Sequence, residues 1–123
     1  MNGRVLVVED NAKNMKLFRD VLQARGYETF EAGTGDDAVE LATAHVPDLV
    51  LMDIELPGTD GVEALGRLRA DDRTAAIPVL ALTAQAMHGD RERFLAAGFD
   101  GYMSKPVDVL ALLDVVKSYT EPS

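Results

Sequence analysis

The sequence predicts a three-layer α/β fold, in which helices cover both faces of a parallel five-stranded sheet. Five short apolar runs follow one another roughly 20 to 30 residues apart, which is the spacing of strand–helix units. Between these runs, apolar residues recur three and four positions apart, which is the period of an amphipathic helix. Three of the runs are almost continuously apolar, as strands buried on both faces must be.

The strands and helices follow from this pattern in chain order. The strands are predicted at residues 5–8, 27–32, 48–52, 78–82 and 101–104. The apolar residues at helical spacing are Met15, Phe18 and Leu22; Ala38, Leu41 and Ala42; Val62, Leu65 and Leu68; and Val109, Leu112, Leu113 and Val116. Asp60 with Glu63 is typical of a helix start, and Gly26 and Gly98 stand where helices would end. Strands that alternate with helices form a parallel sheet with right-handed crossovers.

The fourth helix, between the fourth and fifth strands, has the weakest pattern. Residues 88–93 are polar throughout, and Met87, Phe94 and Leu95 are the only large apolar residues nearby. We expect this helix to be loosely held, because mobile elements are drawn from poorly packed regions.

Length and composition indicate one acidic domain that binds neither nucleic acid nor membrane. The chain has 123 residues, so we expect a single domain over 1–123, with a core at about 4–119 and no output domain. The net charge is −9 and the cations are scattered, which argues against nucleic-acid binding. No apolar stretch approaches the roughly 18 residues of a membrane span. The absence of cysteine excludes disulfides and favours a reducing, cytoplasmic compartment.

Polar side chains follow four of the five predicted strands. They are Glu9, Asp10, Asp53, Thr83 and Lys105. Ligands of open parallel sheets bind beyond the carboxyl ends of the strands, so we expect these groups to converge on one edge of the sheet. Each also has a structural interpretation. The acids could lead into a helix, Asp53 could close a turn, Thr83 could cap a helix and Lys105 could be a solvated cation.

The charge of this set favours a bound cation. Three carboxylates and one lysine leave a net charge of −2, which like-charge repulsion makes costly. Mg²⁺ suits oxygen ligands and binds beside phosphate. With Mg²⁺ held by Glu9, Asp10 and Asp53, one oxygen of Asp53 remains available as a nucleophile, and carboxylates do form aspartyl phosphates. Mg²⁺, Lys105 and the Thr83 hydroxyl would support the incoming phosphoryl group.

Four sequence blocks resemble those of response regulator receiver domains, the CheY-like superfamily. They are VLVVEDN at 5–11, LVLMDIELPG at 49–58, VLALTA at 79–84 and GYMSKP at 101–106. The blocks occur in order, and the resemblance covers about residues 4–119. It implies a doubly wound, flavodoxin-like (βα)5 fold with strand order 2-1-3-4-5. Among receivers, the chain is most similar to single-domain cell-cycle and phosphorelay regulators of the DivK type, through Glu-Asp-Asn at 9–11 and residues 84–90.

The resemblance also implies which residues bind the metal and accept the phosphoryl group. Asp53 matches the phosphoacceptor, and Glu9 and Asp10 match the acidic pair that holds Mg²⁺, for which Mn²⁺ is an expected substitute. The main-chain carbonyl of Glu55 matches a further metal ligand. Position 9 is Glu where many receivers have Asp, so we expect its metal contact to pass through water. The Glu55 carboxylate is expected to alter the lifetime of the acyl phosphate.

A second group of residues matches the conformational switch of the family. Thr83 matches the hydroxyl that moves onto a phosphoryl oxygen, and Lys105 matches the cation that pairs with it. Tyr102 matches the aromatic switch residue, which would rotate from solvent into the space that Thr83 vacates; a half-buried aromatic without such a role is the alternative. Lys105–Pro106 matches a peptide bond that is cis in the family, against roughly 5–6% of X-Pro bonds in general.

The implied function is that of a single-domain response regulator. The donor would be a phosphohistidine on a histidine kinase or a histidine phosphotransfer protein. In the family it docks on the first helix, which here bears Asn14, Met15, Leu17 and Phe18. Phosphorylation would re-shape the surface of the fourth helix, fifth strand and fifth helix for a downstream protein. We expect a monomer or weak dimer, and no enzymatic activity beyond self-phosphorylation and slow autodephosphorylation.

Three other functions compete with this interpretation. An aspartyl-nucleophile phosphatase would need a substrate-covering cap, for which 123 residues leave no room. A phosphorylation-independent scaffold would have no use for a costly acidic cluster. Flavin binding would require a Ser/Thr/Gly-rich phosphate loop after the first strand, where Glu-Asp-Asn stands instead.

Overall fold

Five strands alternate with five helices in the computed structural model, which describes residues 3–54, 56, 61–84 and 90–120. The strands are β1 (Arg4–Val8), β2 (Glu28–Ala32), β3 (Leu49–Asp53), β4 (Val79–Thr83) and β5 (Gly101–Ser104). The helices are α1 (Ala12–Ala24), α2 (Gly35–His45), α3 (Gly61–Ala70), α4 (Asp90–Ala97) and α5 (Val109–Thr120). Each predicted strand is present, and its ends lie within about one residue of the prediction.

The sheet is parallel throughout and has the strand order β2-β1-β3-β4-β5. The fold class and the strand order expected from the sequence are therefore confirmed. In the register, Val5 of β1 lies opposite Thr29 of β2 and Leu49 of β3. Because the strand order reverses on either side of β1, a crevice is expected beyond the carboxyl ends of β1 and β3.

Side chains of the strands alternate between two cores, one on each face of the sheet. The first core joins alternate residues of β1, β3 and β4 to α2, α3 and α4; its largest members include Leu6, Met52, Leu65, Leu68 and Phe94. The second core joins the remaining strand residues to α1 and α5; it includes Leu22, Leu49, Leu51, Leu82 and Leu112. Burial on both faces explains why β1, β3 and β4 are continuously apolar.

Short polar side chains and glycines mark the ends of several helices. The side chains of Asn11, Thr34 and Asp108 accept hydrogen bonds from backbone N–H groups at the starts of α1, α2 and α5. Gly26 and Gly98, which follow α1 and α4, have φ angles of 88° and 113° and so adopt a conformation that favours glycine. Asp60, the predicted start of α3, lies outside the described residues.

Helix α4 is eight residues long and is thinly packed. Among its side chains that the structure describes, only Phe94 is buried, whereas Leu95 is 40% exposed. This packing accords with the weak helical pattern of the sequence. The predicted mobility of α4 stays a prediction, and residues 85–89 lie outside the described range.

Arg69, at the end of α3, joins three chain segments at the amino ends of the strands. Its Nη1 donates to the carbonyl oxygens of Ala75 and Ile77 at 3.0 and 2.6 Å. Its Nη2 donates to the carbonyl oxygen of Gly98 at 3.1 Å and to Oδ2 of Asp100 at 2.9 Å. This guanidinium, called the Arg69 clamp below, therefore holds the end of α4 against the α3–β4 connection.

Candidate functional site

The polar residues predicted at the strand ends do meet at one edge of the sheet. Backbone hydrogen bonds align this edge, because Ile54 N–H donates to the Leu82 carbonyl at 3.0 Å and Lys105 N–H donates to the Thr83 carbonyl at 2.7 Å. Asp53 is the last residue of β3, not the first residue beyond it as predicted. The Asp53 carboxylate nevertheless lies at this edge of the sheet, because it accepts a hydrogen bond from Lys105 Nζ.

Lys105 forms an ion pair with two carboxylates at once. Its Nζ lies 2.8 Å from Oδ2 of Asp53 and 2.9 Å from Oε1 of Glu9. Asp53 and Glu9 are only 1% and 2% exposed, so the two acids are removed from water while sharing one ammonium group. One cation for two buried anions leaves the cluster negative before Asp10 is counted, which favours a further cation.

The carboxylate of Glu9 is held by hydrogen bonds on both oxygens. Its Oε2 accepts from Asp10 N–H at 3.1 Å and, more weakly, from Asn11 N–H at 3.5 Å. Its Oε1 accepts from Nδ2 of Asn14 at 3.2 Å, in addition to the ion pair with Lys105. Glu9 was predicted from the sequence as a site residue, whereas its hydrogen-bond partner Asn14 was not. The Asn-x-x-Asn spacing at the start of α1 is the signal that could have found it.

Three carboxylates of the site fit the requirements of a small divalent cation. One carboxylate oxygen from each of Glu9, Asp10 and Asp53 lies within 4.8 Å of the other two. Oxygen ligands of Mg²⁺ stand at about 2.0–2.1 Å from the ion, so ligands on opposite sides are separated by about 4.2 Å. Asp10 is exposed, which leaves room on its side for bound water. The main-chain carbonyl of Glu55, predicted as another ligand, lies outside the described residues.

The proton affinities of the site reflect its burial and its crowded charges. Burial, together with a hydrogen bond to Asp53 and the Asp53 charge, raises the pKa of Glu9 to about 6, although Lys105 opposes this effect. Burial alone would lower the pKa of Lys105. The hydrogen bonds and charges of Asp53 and Glu9 outweigh burial, so the pKa of Lys105 is raised and the group stays an ammonium ion. A bound cation would relieve the excess negative charge that Glu9 experiences.

The predicted switch residues lie on β4 and β5, beside this cluster. Thr83 is the last residue of β4 and its side chain is buried, which again differs by one position from the predicted place beyond the strand. Tyr102, on β5, is half-buried and packs against the core on the α4 side of the sheet. The ring of Tyr102 is thus already partly buried in the unphosphorylated protein. That it rotates inward from solvent on phosphorylation stays a prediction. The peptide bond between Lys105 and Pro106 is cis.

One groove adjoins the site, and a second groove contains the predicted switch residue Tyr102. The first, of about 340 Å³, lies between α1 and the segment after β5 and is lined by Asn14, Leu17, Phe18, Ala84, Lys105, Pro106 and Val107. The second, of about 350 Å³, lies between α4, β5 and α5 and is lined by Leu80, Leu95, Asp100, Gly101, Tyr102, Val115, Ser118 and Tyr119. The first groove therefore shares Asn14 and Lys105 with the candidate site, and the second contains Tyr102 of the predicted switch.

Comparisons with known proteins agree with this geometry. Residues 5–117 match the model of the response regulator receiver domain family. The chain is 50% identical over 119 residues to the polar-differentiation response regulator DivK of Brucella anthropi, covering 97% of each sequence. It is 48% identical over the same length to DivK of Brucella ovis.

Solved structures give the same result. The receiver domain of a sensor histidine kinase from Pseudomonas aeruginosa has 34% sequence identity and a TM-score of 0.88, with 97% of this chain and 98% of that chain covered. That crystal structure has a magnesium ion coordinated in its active site cleft. A putative response regulator from Chloroflexus aurantiacus has 30% identity and a TM-score of 0.89, with 97% of this chain and 98% of that chain covered.

Among the described residues of the present chain, no helix has the length and apolar character required to cross a membrane.

Proposed function

Because the chain belongs to the family of response regulator receiver domains, we propose that it accepts a phosphoryl group on Asp53 within a phosphorelay and then binds a downstream protein. The observation that carries this proposal is the convergence of Asp53, Glu9 and Lys105. A buried carboxylate that contacts both an ammonium group and a cluster able to hold a cation is suited to accept a phosphoryl group.

The transfer would take place as an in-line displacement. A carboxylate oxygen of Asp53 forms a bond to phosphorus while the bond from phosphorus to the donor imidazole nitrogen breaks. That nitrogen keeps the electron pair, and the product is an acyl phosphate on Asp53. Lys105 is placed to neutralise a phosphoryl oxygen, because its Nζ lies 2.8 Å from the acceptor carboxylate. A divalent cation on Glu9, Asp10 and Asp53 would supply further positive charge against the phosphoryl oxygens.

The donor we propose is a phosphohistidine on a histidine kinase or phosphotransfer protein. The groove beside α1 supports this choice, because it includes Lys105 and is bordered by Leu17, whose side chain is 43% exposed. A groove with apolar walls that also contains Lys105 suits the docking of a protein partner beside the acceptor. Phe18, in contrast, is buried in the core.

The output surface we propose is the groove between α4, β5 and α5. Tyr102 lines it, together with Leu95 and Tyr119, which are 40% and 36% exposed. Withdrawal of the Thr83 side chain toward a phosphoryl oxygen would open space beside β4 for the ring of Tyr102. The ring would then change the shape of this groove, so that phosphorylation of Asp53 would alter the binding of a partner there.

We also propose that the protein acts in the cytoplasm and that it does not catalyse a reaction on outside substrates.

The experiment that tests this function is phosphorylation with acetyl phosphate and Mg²⁺, followed by intact-mass measurement. The wild-type protein should gain one phosphoryl group that base releases. Asp53→Asn and a chelated wild-type sample should gain none, whereas Asp20→Asn, which removes an exposed acid of α1, should be labelled like the wild type. Labelling of Asp53→Asn would contradict the assignment. Steady hydrolysis of phosphate esters beyond one equivalent would instead favour a phosphatase.

A further inference from the structure

Asn14 connects helix α1 to the acidic cluster. Its Nδ2 donates to Oε1 of Glu9 at 3.2 Å. The backbone of Asn14 is itself fixed, because its N–H donates to Oδ1 of Asn11, the N-cap of α1, at 3.0 Å. The donor that reaches Glu9 is therefore held by a short chain of hydrogen bonds that begins at the helix start.

Four donors of the protein surround the carboxylate oxygens of Glu9. They are the N–H groups of Asp10 and Asn11, the Asn14 amide and the Lys105 ammonium group. Lys105 is the one donor of the four that also contacts Asp53. If a cation were bound to this cluster, Lys105 would no longer be the sole source of positive charge for Glu9, and Asn14 and the two N–H groups would be the donors left to orient its carboxylate.

We propose that Asn14 is a positioning residue of the cation site, which orients the Glu9 carboxylate and thereby sets the affinity for a divalent cation. This inference rests on the proposed function, since it assigns a role at the same site. Donors that orient the acidic groups of a metal site commonly change its affinity 10- to 100-fold when they are removed. In this role Asn14 acts through Glu9, to which its side-chain amide donates.

Asn14 also borders the groove beside α1, so a docking role must be separated from a metal-positioning role. Leu17 provides the comparison, because it lines the same groove three residues later on α1. We expect Leu17→Ala to affect protein partners only. We expect Asn14→Leu to affect the cation site in the isolated protein, where no partner is present.

The principal test is Mg²⁺ binding to the unphosphorylated protein, measured by titration calorimetry. Asn14→Leu should bind Mg²⁺ about tenfold more weakly than the wild type. Leu17→Ala should bind it with unchanged affinity. In phosphorylation by acetyl phosphate, Asn14→Leu should need about tenfold more Mg²⁺ for half the maximal rate, while the maximal rate at saturating Mg²⁺ is retained. Equal Mg²⁺ affinity in Asn14→Leu and the wild type would overturn the proposal.

A measurement on the wild-type protein covers the case in which Asn14→Leu does not fold. The side-chain amide resonances of Asn14 should shift during a Mg²⁺ titration, with the dissociation constant found by calorimetry. The side-chain amide of Gln23, which donates to Thr29 instead, should not shift. An unmoved Asn14 amide would contradict the inference. A wild-type protein that binds no Mg²⁺ and takes no phosphoryl group would instead contradict the proposed function.

Discussion

The ring of Tyr102 packs against the ring of Phe94, with the two ring centroids 5.8 Å apart and the ring planes inclined by 50°. Phe94 is buried and, among the described side chains of α4, it is the one that packs into the core, so the predicted switch residue directly contacts the core residue of this helix. A change in the position of Tyr102 therefore alters the packing of α4.

Phe94→Leu is predicted to weaken the transmission from the phosphorylation site to α4. The smaller side chain loses the ring contact with Tyr102, and we expect a stability loss of about 1–3 kcal/mol. Shifts of the α4 backbone amides on addition of beryllofluoride, a phosphoryl analogue, should shrink relative to the wild type when measured by NMR. Phe30→Leu, at a half-buried aromatic position on the opposite edge strand, should leave these shifts intact. If the beryllofluoride-induced shifts of α4 were as large in Phe94→Leu as in the wild type, transmission through the contact between Tyr102 and Phe94 would be excluded.

Lys105→Met is predicted to destabilise the metal-free protein at pH 7. The substitution leaves the buried carboxylates of Glu9 and Asp53 without their shared cation, and removal of one partner of a buried ion pair costs about 3–5 kcal/mol. Mg²⁺ should restore much of the loss, because it replaces the missing positive charge. Chemical denaturation followed by circular dichroism measures both effects.

The matched control for this prediction is Lys16→Met. Lys16 lies 2.7 Å from Asp20, which is as close as the Lys105 pairs, but both groups are largely exposed. Exposed ion pairs contribute little to stability, so no loss and no Mg²⁺ dependence are expected. An equal loss in both variants would show that burial of the Lys105 pairs is unimportant.

The contribution of Glu9 to the stability of the metal-free protein is predicted to fall as the pH rises from about 4.5 to 6. The folded-state pKa of Glu9 is about 6, above the ordinary value of 4.5. The folded protein therefore binds more protons than the unfolded chain in this range, and its free energy of unfolding decreases with pH, by up to roughly 2 kcal/mol from this group. Denaturation curves at several pH values with and without Mg²⁺ measure the effect.

Glu9→Gln isolates the contribution of Glu9 from that of the other acids. Without Mg²⁺, the difference in unfolding free energy between Glu9→Gln and the wild type should grow in favour of the variant as the pH rises from about 4.5 to 6, and it should stay constant at higher pH. Saturating Mg²⁺ should remove this advantage, because the ion stabilises the charged form of the cluster. A difference that does not vary with pH would contradict the raised pKa of Glu9.

Gly61→Ala and Gly66→Ala are predicted to have opposite effects, although both lie in α3. A Cβ at Gly61 would stand 2.7 Å from the carbonyl oxygen of Asp53 and 3.0 Å from Cα of Ile54, so the end of β3 would have to shift. We expect a loss of about 1–3 kcal/mol and slower phosphorylation of Asp53. A Cβ at Gly66 meets nothing within 4 Å, and alanine favours the helix by about 1 kcal/mol. Thermal unfolding of both variants checks these signs.

The sequence predicted the strands and the meeting of the polar groups because both depend on simple periodic patterns. Continuous apolar runs place β1, β3 and β4 inside the sheet, and parallel strands then bring Glu9 and Asp53 to a common edge. The ends of the strands were less predictable. Asp53 and Thr83 continue the hydrogen-bonded ladder, which a polarity pattern alone does not reveal.

Contacts that depend on side-chain direction could not be predicted in the same way. The double ion pair of Lys105 and the hydrogen bond from Asn14 to Glu9 require rotamers that are set by packing in the folded chain. The half-buried state of Tyr102 likewise depends on Phe94, which is contributed by a different element. A sequence pattern indicates which residues share one edge of the sheet, but it does not indicate which side-chain atoms are in contact.

The Arg69 clamp determines how α4 can move. Since Arg69 ties the carbonyl of Gly98 to α3 and to the α3–β4 connection, the carboxyl end of α4 is held in place, and we expect a displacement of the helix to be a tilt about that end. The helix is about 12 Å long, so a tilt of about 10° moves its amino end by about 2 Å while its carboxyl end stays in place. A partner whose binding depends on the phosphorylation of Asp53 through α4 would therefore encounter the largest displacement at the amino end of the helix, which follows β4 in the chain.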